Sequence, residues 1–235
     1  MEKVAAPVDR RARRRRETIE EALDLAVELM AEQGVAGLSL GEMARRMGIR
    51  PPSLYVYFPS KMALYDALFT RGAAGVLQAM QEAHHAIADL PTLAERLTAA
   101  GRALARWCLA NPGYSQLLFW RPVPGFQPSP EAYAPALGLI EFSRSWFGRL
   151  QREGLFPADA DIDLLLRDWV ILTAGVVSQQ LANAPDETVD TGRFTSALPS
   201  LAAMFAREHG TPPAPPRRRK SPVSTTVAPS SGRSR

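Results

Sequence analysis

The chain has a single cysteine, Cys108, in 235 residues. No disulfide can form within it, and no thiolate cluster can hold a metal; both suit a reducing compartment. Of its three histidines, two are adjacent. On a helix His84 and His85 would point about 100° apart, too far round to share one ion, and no set of cysteines or carboxylates accompanies them. Long apolar runs are missing as well: the most apolar stretch, Trp169–Val177, is far too short to span a bilayer. No apolar segment follows the first arginines, so nothing resembles a signal peptide. Cytoplasmic location and no membrane partner are the expectations. There is no nucleophile–base pair and no glycine-rich phosphate loop. Asp159–Asp163 lacks the glycine and closing glutamate of a calcium loop and reads better as an acidic helix start. The expectation is therefore a protein that is not an enzyme and has no cofactor or metal site.

Charge is present but divided. Residues 1–16 carry a net +5, residues 211–235 a net +6, and the whole chain only +4, so residues 17–210 hold −7. An acidic body with basic ends suits a polyanionic partner. The C-terminal tail reads as disordered. The run Arg10–Arg16 leads straight into the first helical pattern and reads as a contact element.

Apolar residues recur at helical spacing almost throughout. Ile19, Ala22, Leu23, Ala26, Leu29 and Met30 define the first helix, with Gly34 just past its end. "SLGE" reads as a capping box that starts a second helix at Ser39. Ser60 caps a long helix to about His85. Further helices are expected to Ala110, over 130–153, over 162–184 and over 191–208, with kinks at Pro135 and Pro199. No alternating strand pattern and no repeat is present, so the fold class is all-α. The divisions expected are a basic flexible arm (1–13), a first helical domain (14–70), a larger helical domain (71–210) and the basic tail (211–235).

Residues 39–58 carry the functional reading. A short capped helix is followed by Gly48, which can take φ > 0 and turn the chain sharply. Pro51 and Pro52 then fit the first turn of another helix, where a missing N–H costs little. On the wheel of a helix running to Phe58, Leu54 and Phe58 share the core side. Pro52, Ser53 and Val56 face the other way, and Tyr55 and Tyr57 flank them. Such a surface suits a major groove, with hydroxyls that reach phosphates. Tyr57 ranks ahead of Tyr55 as a contact. Arg50 is placed to reach a guanine. Lys61 lies in a first helical turn that attracts phosphate. Arg45 and Arg46 remain open between phosphate contact and ion pairing with the acidic first helix.

The segment "ETIEEALDLAVELMAEQGVAGLSLGEMARRMGIRPPSLYVYFPSKMALYDAL" resembles the DNA-binding domain of the tetracycline-repressor (TetR) family of bacterial regulators. The resemblance covers about residues 14–70 and rests on the long first helix, Gly34, the Ser39 cap, "ARRMGI", "SLYVYF" and "PSKMALYDAL". It implies a dimeric transcription factor, usually a repressor, with a helical ligand and dimer domain. It also implies DNA contacts from Ser39, Arg50, Pro51, Pro52, Ser53, Tyr55, Val56, Tyr57 and Lys61. Arg50 stands where the family often has a small polar cap, Tyr57 where it often has histidine, and Pro52 where it often has glycine or alanine.

The second half is rich in large aromatics. An apolar or aromatic small-molecule effector site is expected from Trp107, Phe119, Trp120, Tyr133 and Trp146, with Arg121 and Arg144 as polar handles. Ala174, Ser178 and Ala182 form a line of small residues on a helix apolar nearly all round. That helix and the final one are expected to build a twofold four-helix homodimer interface. The combined expectation is a ligand-responsive homodimeric regulator on a palindromic double-stranded DNA operator. The competing readings are a ligand-insensitive architectural DNA binder and a helical small-molecule enzyme.

Overall fold

The computed structural model describes residues 7–212. The expectations for residues 1–6 and for the tail beyond 212 lie outside them. The described chain is a helical assembly: α1 (Pro7–Gln33), α2 (Leu40–Arg46), α3 (Pro51–Tyr55), α4 (Lys61–Ala88), α5 (Leu93–Ala110), α6 (Pro112–Phe119), α7 (Pro130–Arg152), α8 (Ile162–Asn183) and α9 (Leu198–His209). No strand occurs among the described residues.

Local chemistry sets the helix ends. The Oγ of Ser60 accepts from the Ala63 amide at 3.0 Å, and that of Ser129 from Ala132 at 3.2 Å. Asp161 accepts from the amides of Asp163 and Leu164, so the acidic 159–163 run is indeed a helix start. The reciprocal capping box occurs at Thr92 and Glu95. At Ser39 only half of one forms. Its Oγ accepts from the Glu42 amide, but the Glu42 carboxylate turns to Arg45 and Arg46 instead.

Two boundaries differ from the sequence reading. Residues 7–13, expected in a flexible arm, are the first turns of α1. The last helix begins only at Leu198, after a single 3-10 turn over Thr195–Ala197. Pro199 therefore sits in a first turn, where it starts a helix rather than kinking one. Pro135 does lie inside α7.

The core divides into three clusters. The first joins Leu29, Met43, Leu54, Phe58, Tyr65 and Leu68 to Tyr114, Leu117, Val123 and Phe126. The domain boundary expected at residue 70 is thus crossed by packing: α6 and the loop after it complete the core of the helix-turn-helix. Phe126 meets Tyr65 at 5.5 Å between ring centres, and Asp66 accepts from the Ser129 amide at 3.0 Å. The second cluster packs Trp146, Phe147, Phe156, Trp169 and Phe205 among α5, α7, α8 and α9. The third gathers Ala105, Cys108, Val177 and Leu198. Burial of Cys108 pushes its thiol up to about 11, which leaves it a small apolar residue at neutral pH.

α4 is the spine that links the first two clusters, and its small residues let neighbours approach. A Cβ at Gly72 would lie 2.7 Å from Cδ1 and 3.3 Å from Cβ of Tyr114, atoms near the root of a ring that cannot swing away. Gly72→Ala should therefore lower stability by about 1–3 kcal/mol. That shifts the melting temperature down by about 2–4 °C per kcal/mol in a chain of this size. An unchanged thermal unfolding midpoint would show that the α4–α6 contact is loose.

Candidate nucleic-acid interface

α2 and α3 form the helix-turn-helix. Met43 and Ala44 are fully buried and Met47 partly so. Gly48 takes φ 66, the left-handed conformation that the turn demands. The Ile49 amide then donates to the Ala44 carbonyl at 3.0 Å and closes the turn. Arg50 is the N-cap residue of α3 and offers it no side-chain cap; Pro51 and Pro52 occupy the first turn. The helix is shorter than expected. It ends at Tyr55, and Val56 and Tyr57 form a turn. The Phe58 amide still reaches the Leu54 carbonyl at 3.0 Å.

This geometry separates two surfaces. Leu54 and Phe58 point into the first core, 0% and 2% exposed. Arg50, Pro51, Pro52, Ser53, Tyr55 and Val56 stand in solvent together, with Val56 71% and Tyr55 50% exposed. Tyr57 is partly buried against the core, and the Arg15 guanidinium lies over its ring at 5.4 Å. Tyr57 is thus the less exposed of the two tyrosines, because the chain leaves the helix at Val56 and turns Tyr57 inward.

Ser39 is exposed at the start of α2. Lys61 is placed differently from a free phosphate ligand. Its Nζ donates to the Ala36 carbonyl at 3.0 Å and stands 5.6 Å from the centre of the Tyr65 ring. The Tyr65 hydroxyl donates to the Val35 carbonyl at 2.6 Å. Together they pin the 3-10 turn over Val35–Gly37, a role that the sequence pattern gave no sign of.

Arg46 resolves the choice left open for it. It pairs with Glu42 and with Glu32 of α1, so it locks α2 against α1. Arg45 pairs with Glu42 and is otherwise exposed. Hydrogen bonds from Arg45 and Arg46 hold the Glu42 carboxyl down at about 2. The first turns of α1 are basic in two directions. Arg13 and Arg16 line a cleft of about 770 Å³ with Glu17, Glu20, Asp24 and Arg46. At about 100° per residue Arg11 and Arg15 instead continue the line of Ala22, Ala26 and Leu29, on the side where Tyr57 lies.

The five aromatics expected around an effector are spread over more than one packing cluster. Trp146 is buried in the second cluster, against Phe147 and His84. Trp107 stacks on Tyr114, and Tyr133 on Phe69. Phe119 and Trp120 are 45% and 39% exposed at the end of α6. Arg144 is engaged with Asp163 at 2.7 Å, and Arg121 is exposed at φ 48. Among the described residues no group of three or more histidines, cysteines or carboxylates is placed to hold a metal, and no helix is long and apolar enough to cross a membrane.

On the expected dimer line, Ala174 and Ala182 are exposed and Ser178 partly so. Leu164, Val170 and Ile171 of α8 are exposed beside them, as are Leu137 and Ile140 of α7. α9, expected as the second interface helix, packs on α5 and α8 with Met204 left exposed, and α7 also lies against α8.

A helix-turn-helix with a buried spine and an exposed front, carried on a larger helical body, defines a class of DNA-binding protein. Residues 22–68 match the family model "Bacterial regulatory proteins, tetR family". The chain is 30% identical over 121 residues to an HTH-type transcriptional regulator of Mycobacterium tuberculosis, covering 51% of each protein. It is 43% identical over 49 residues to the class D tetracycline repressor protein of Escherichia coli, covering 21% of this chain and 22% of that one. The stretch matched spans about half the length of the mycobacterial relatives. The fold is similar to that of the regulator FadR from Bacillus subtilis, crystallised with stearoyl-CoA, with a TM-score of 0.60 at 15% identity over 80% of this chain and 97% of that one. The likeness to the tetR family is carried by residues 22–68.

The lowered Glu42 group makes the α1–α2 clamp pH-dependent in one direction. A depressed carboxyl stabilises the fold above its ordinary value of 4.5, and that contribution is lost as pH falls toward about 2. A carboxyl NMR titration should place the Glu42 midpoint near 2, and Arg46→Ala should raise it. A parent midpoint near 4.5 would mean that the clamp does not form in solution.

Proposed function

We propose that the protein is a ligand-responsive homodimeric transcriptional regulator, acting as a repressor, that reads a palindromic double-stranded DNA operator through α3. The observation that carries this reading is the exposed cluster Arg50, Pro51, Pro52, Ser53, Tyr55 and Val56, held outward by the burial of Leu54 and Phe58. Arg50 is the residue for a guanine edge, Ser39 and Tyr55 serve phosphates, and Tyr57 supports them under Arg15. Arg11 and Arg15 extend the phosphate-binding surface from the side of α1. Lys61 holds the 35–37 turn and keeps two further protons for a phosphate.

Effector control fits the shared packing. α6 lies against α1, α4 and α5 at once, and Gly113 at its start abuts Met30 of α1. A small molecule that enters among Trp107, Tyr133 and Trp146, each of which packs against a residue of α4 or α6, shifts the reading head through these contacts. It controls DNA affinity only if it binds the two arrangements unequally. The stearoyl-CoA of the FadR structure supports an apolar ligand for a body of this fold.

The exposed face of α7 and α8 is the dimer surface. Five large apolar residues there have no cover, and the small residues of α8 permit close helix approach.

Selection of bound duplexes from random DNA tests the function. The expected result is an inverted repeat whose half-sites lie about 34–36 Å apart or a multiple of that. Arg50→Ala should relax the base preference at one position per half-site by about 1–3 kcal/mol. Failure to bind any duplex at low salt would overturn the reading. Separately, Ile171→Glu should convert the protein to monomers in sedimentation and abolish tight operator binding; a parent that sediments as a monomer would remove the dimer.

A further inference from the structure

The front of α3 has almost nothing that can form a hydrogen bond to a base. From Pro51 to Phe58 the sequence contains no amide side chain and no charge. Pro51 and Pro52 lack even a backbone donor and present ring methylenes to solvent. Val56 presents an isopropyl group, 71% exposed, at a position where the chain has already left the helix. Ser53 contributes one hydroxyl, and the charged group at this edge is Arg50, before the helix.

The major-groove edge of a base pair offers acceptors, donors and the C5-methyl of thymine. A surface of pyrrolidine carbons and an isopropyl group is complementary to the last of these and to none of the others. It leaves groove acceptors and donors without partners wherever it lies flat against them, which disfavours base pairs that place polar atoms there. The exposed apolar area also gains by being covered, and a thymine methyl is the apolar group that the groove supplies.

Resting on the DNA-reading function above, we infer that this protein selects its operator chiefly by thymine C5-methyl groups seated on Pro52 and Val56, with Arg50 supplying the charged hydrogen-bonded base contact.

The test uses the full chain and the half-site recovered by selection. Each dT is replaced singly by deoxyuridine, which deletes the methyl and keeps every hydrogen-bonding atom. One or two positions per half-site should lose affinity about fourfold, the factor that corresponds to burying one methyl-sized group. At those positions a 5-methylcytosine–guanine pair should bind more tightly than the unmethylated pair. Val56→Ala should abolish the deoxyuridine penalty at one position and leave the Arg50-dependent position untouched. Pro52→Ala should do the same at the other. Both sites are exposed, and helical circular dichroism checks that each variant folds. If every deoxyuridine duplex binds as tightly as its parent while selectivity persists, methyl reading is overturned and the DNA-reading function stands. If no duplex is selected at all, both fall.

Discussion

A helix of five residues is too short to persist on its own. α3 holds its place because Leu54 and Phe58 are sunk in a core that other segments supply. Every outward feature of the interface depends on that burial. Were the two residues to loosen, Pro52 and Val56 would lose their common direction, and Arg50 would cap nothing in particular. The turn at Gly48 and the Ile49–Ala44 hydrogen bond fix where the helix begins. The prolines add rigidity at its first turn, since their φ is preset before folding. Rigidity is what an apolar reading surface needs: contact with a methyl group has no directionality of its own and discriminates only if the surface cannot slide.

The core that holds α3 is not local. Tyr114, Leu117, Val123 and Phe126 come from far along the chain and pack beside Leu29, Met43 and Tyr65. The same α6 segment touches α5, whose neighbours are the second and third clusters. A displacement in the helical body therefore cannot leave the reading head unaffected, because close-packed interiors transmit volume changes rather than absorb them. This is a physical basis for the proposed effector control that needs no dedicated wire between sites.

Local signals in the sequence located the helix-turn-helix well. Caps at Ser39, Ser60 and Ser129, the left-handed glycine at 48 and the first-turn prolines each have a short-range cause, and the structure places them as read. Long-range partnerships were not legible. Nothing near Lys61 announces that the Ala36 carbonyl, on another element, will accept its hydrogen bond, and nothing near Glu42 announces Arg46 bridging on to Glu32. The distribution of the second-half aromatics was hidden for the same reason: composition counts rings but cannot say which cluster receives them. α1 starts at Pro7, ahead of the helix start read at about Thr18, because the first apolar repeat begins only at Ile19 while arginine, a good helix former, carries the helix back through residues 10–16.

The arrangement of charge along α1 links that extension to the interface. Arg13 and Arg16 sit with Glu17 and Glu20 on one side, where their fields largely cancel. Arg11 and Arg15 lie on the side of Tyr57, away from that acid row. The acidic body repels a polyanion, so a duplex approaching at random is guided to the edge where arginine is uncompensated. A rigid helix fixes where that edge lies relative to α3; a disordered arm would not. Charge thus brings the duplex to the right face, and the uncharged front of α3 is left to discriminate at short range. On the proposed reading the methyl contacts are insensitive to salt, while the contacts of Arg11, Arg15 and Arg50 are not.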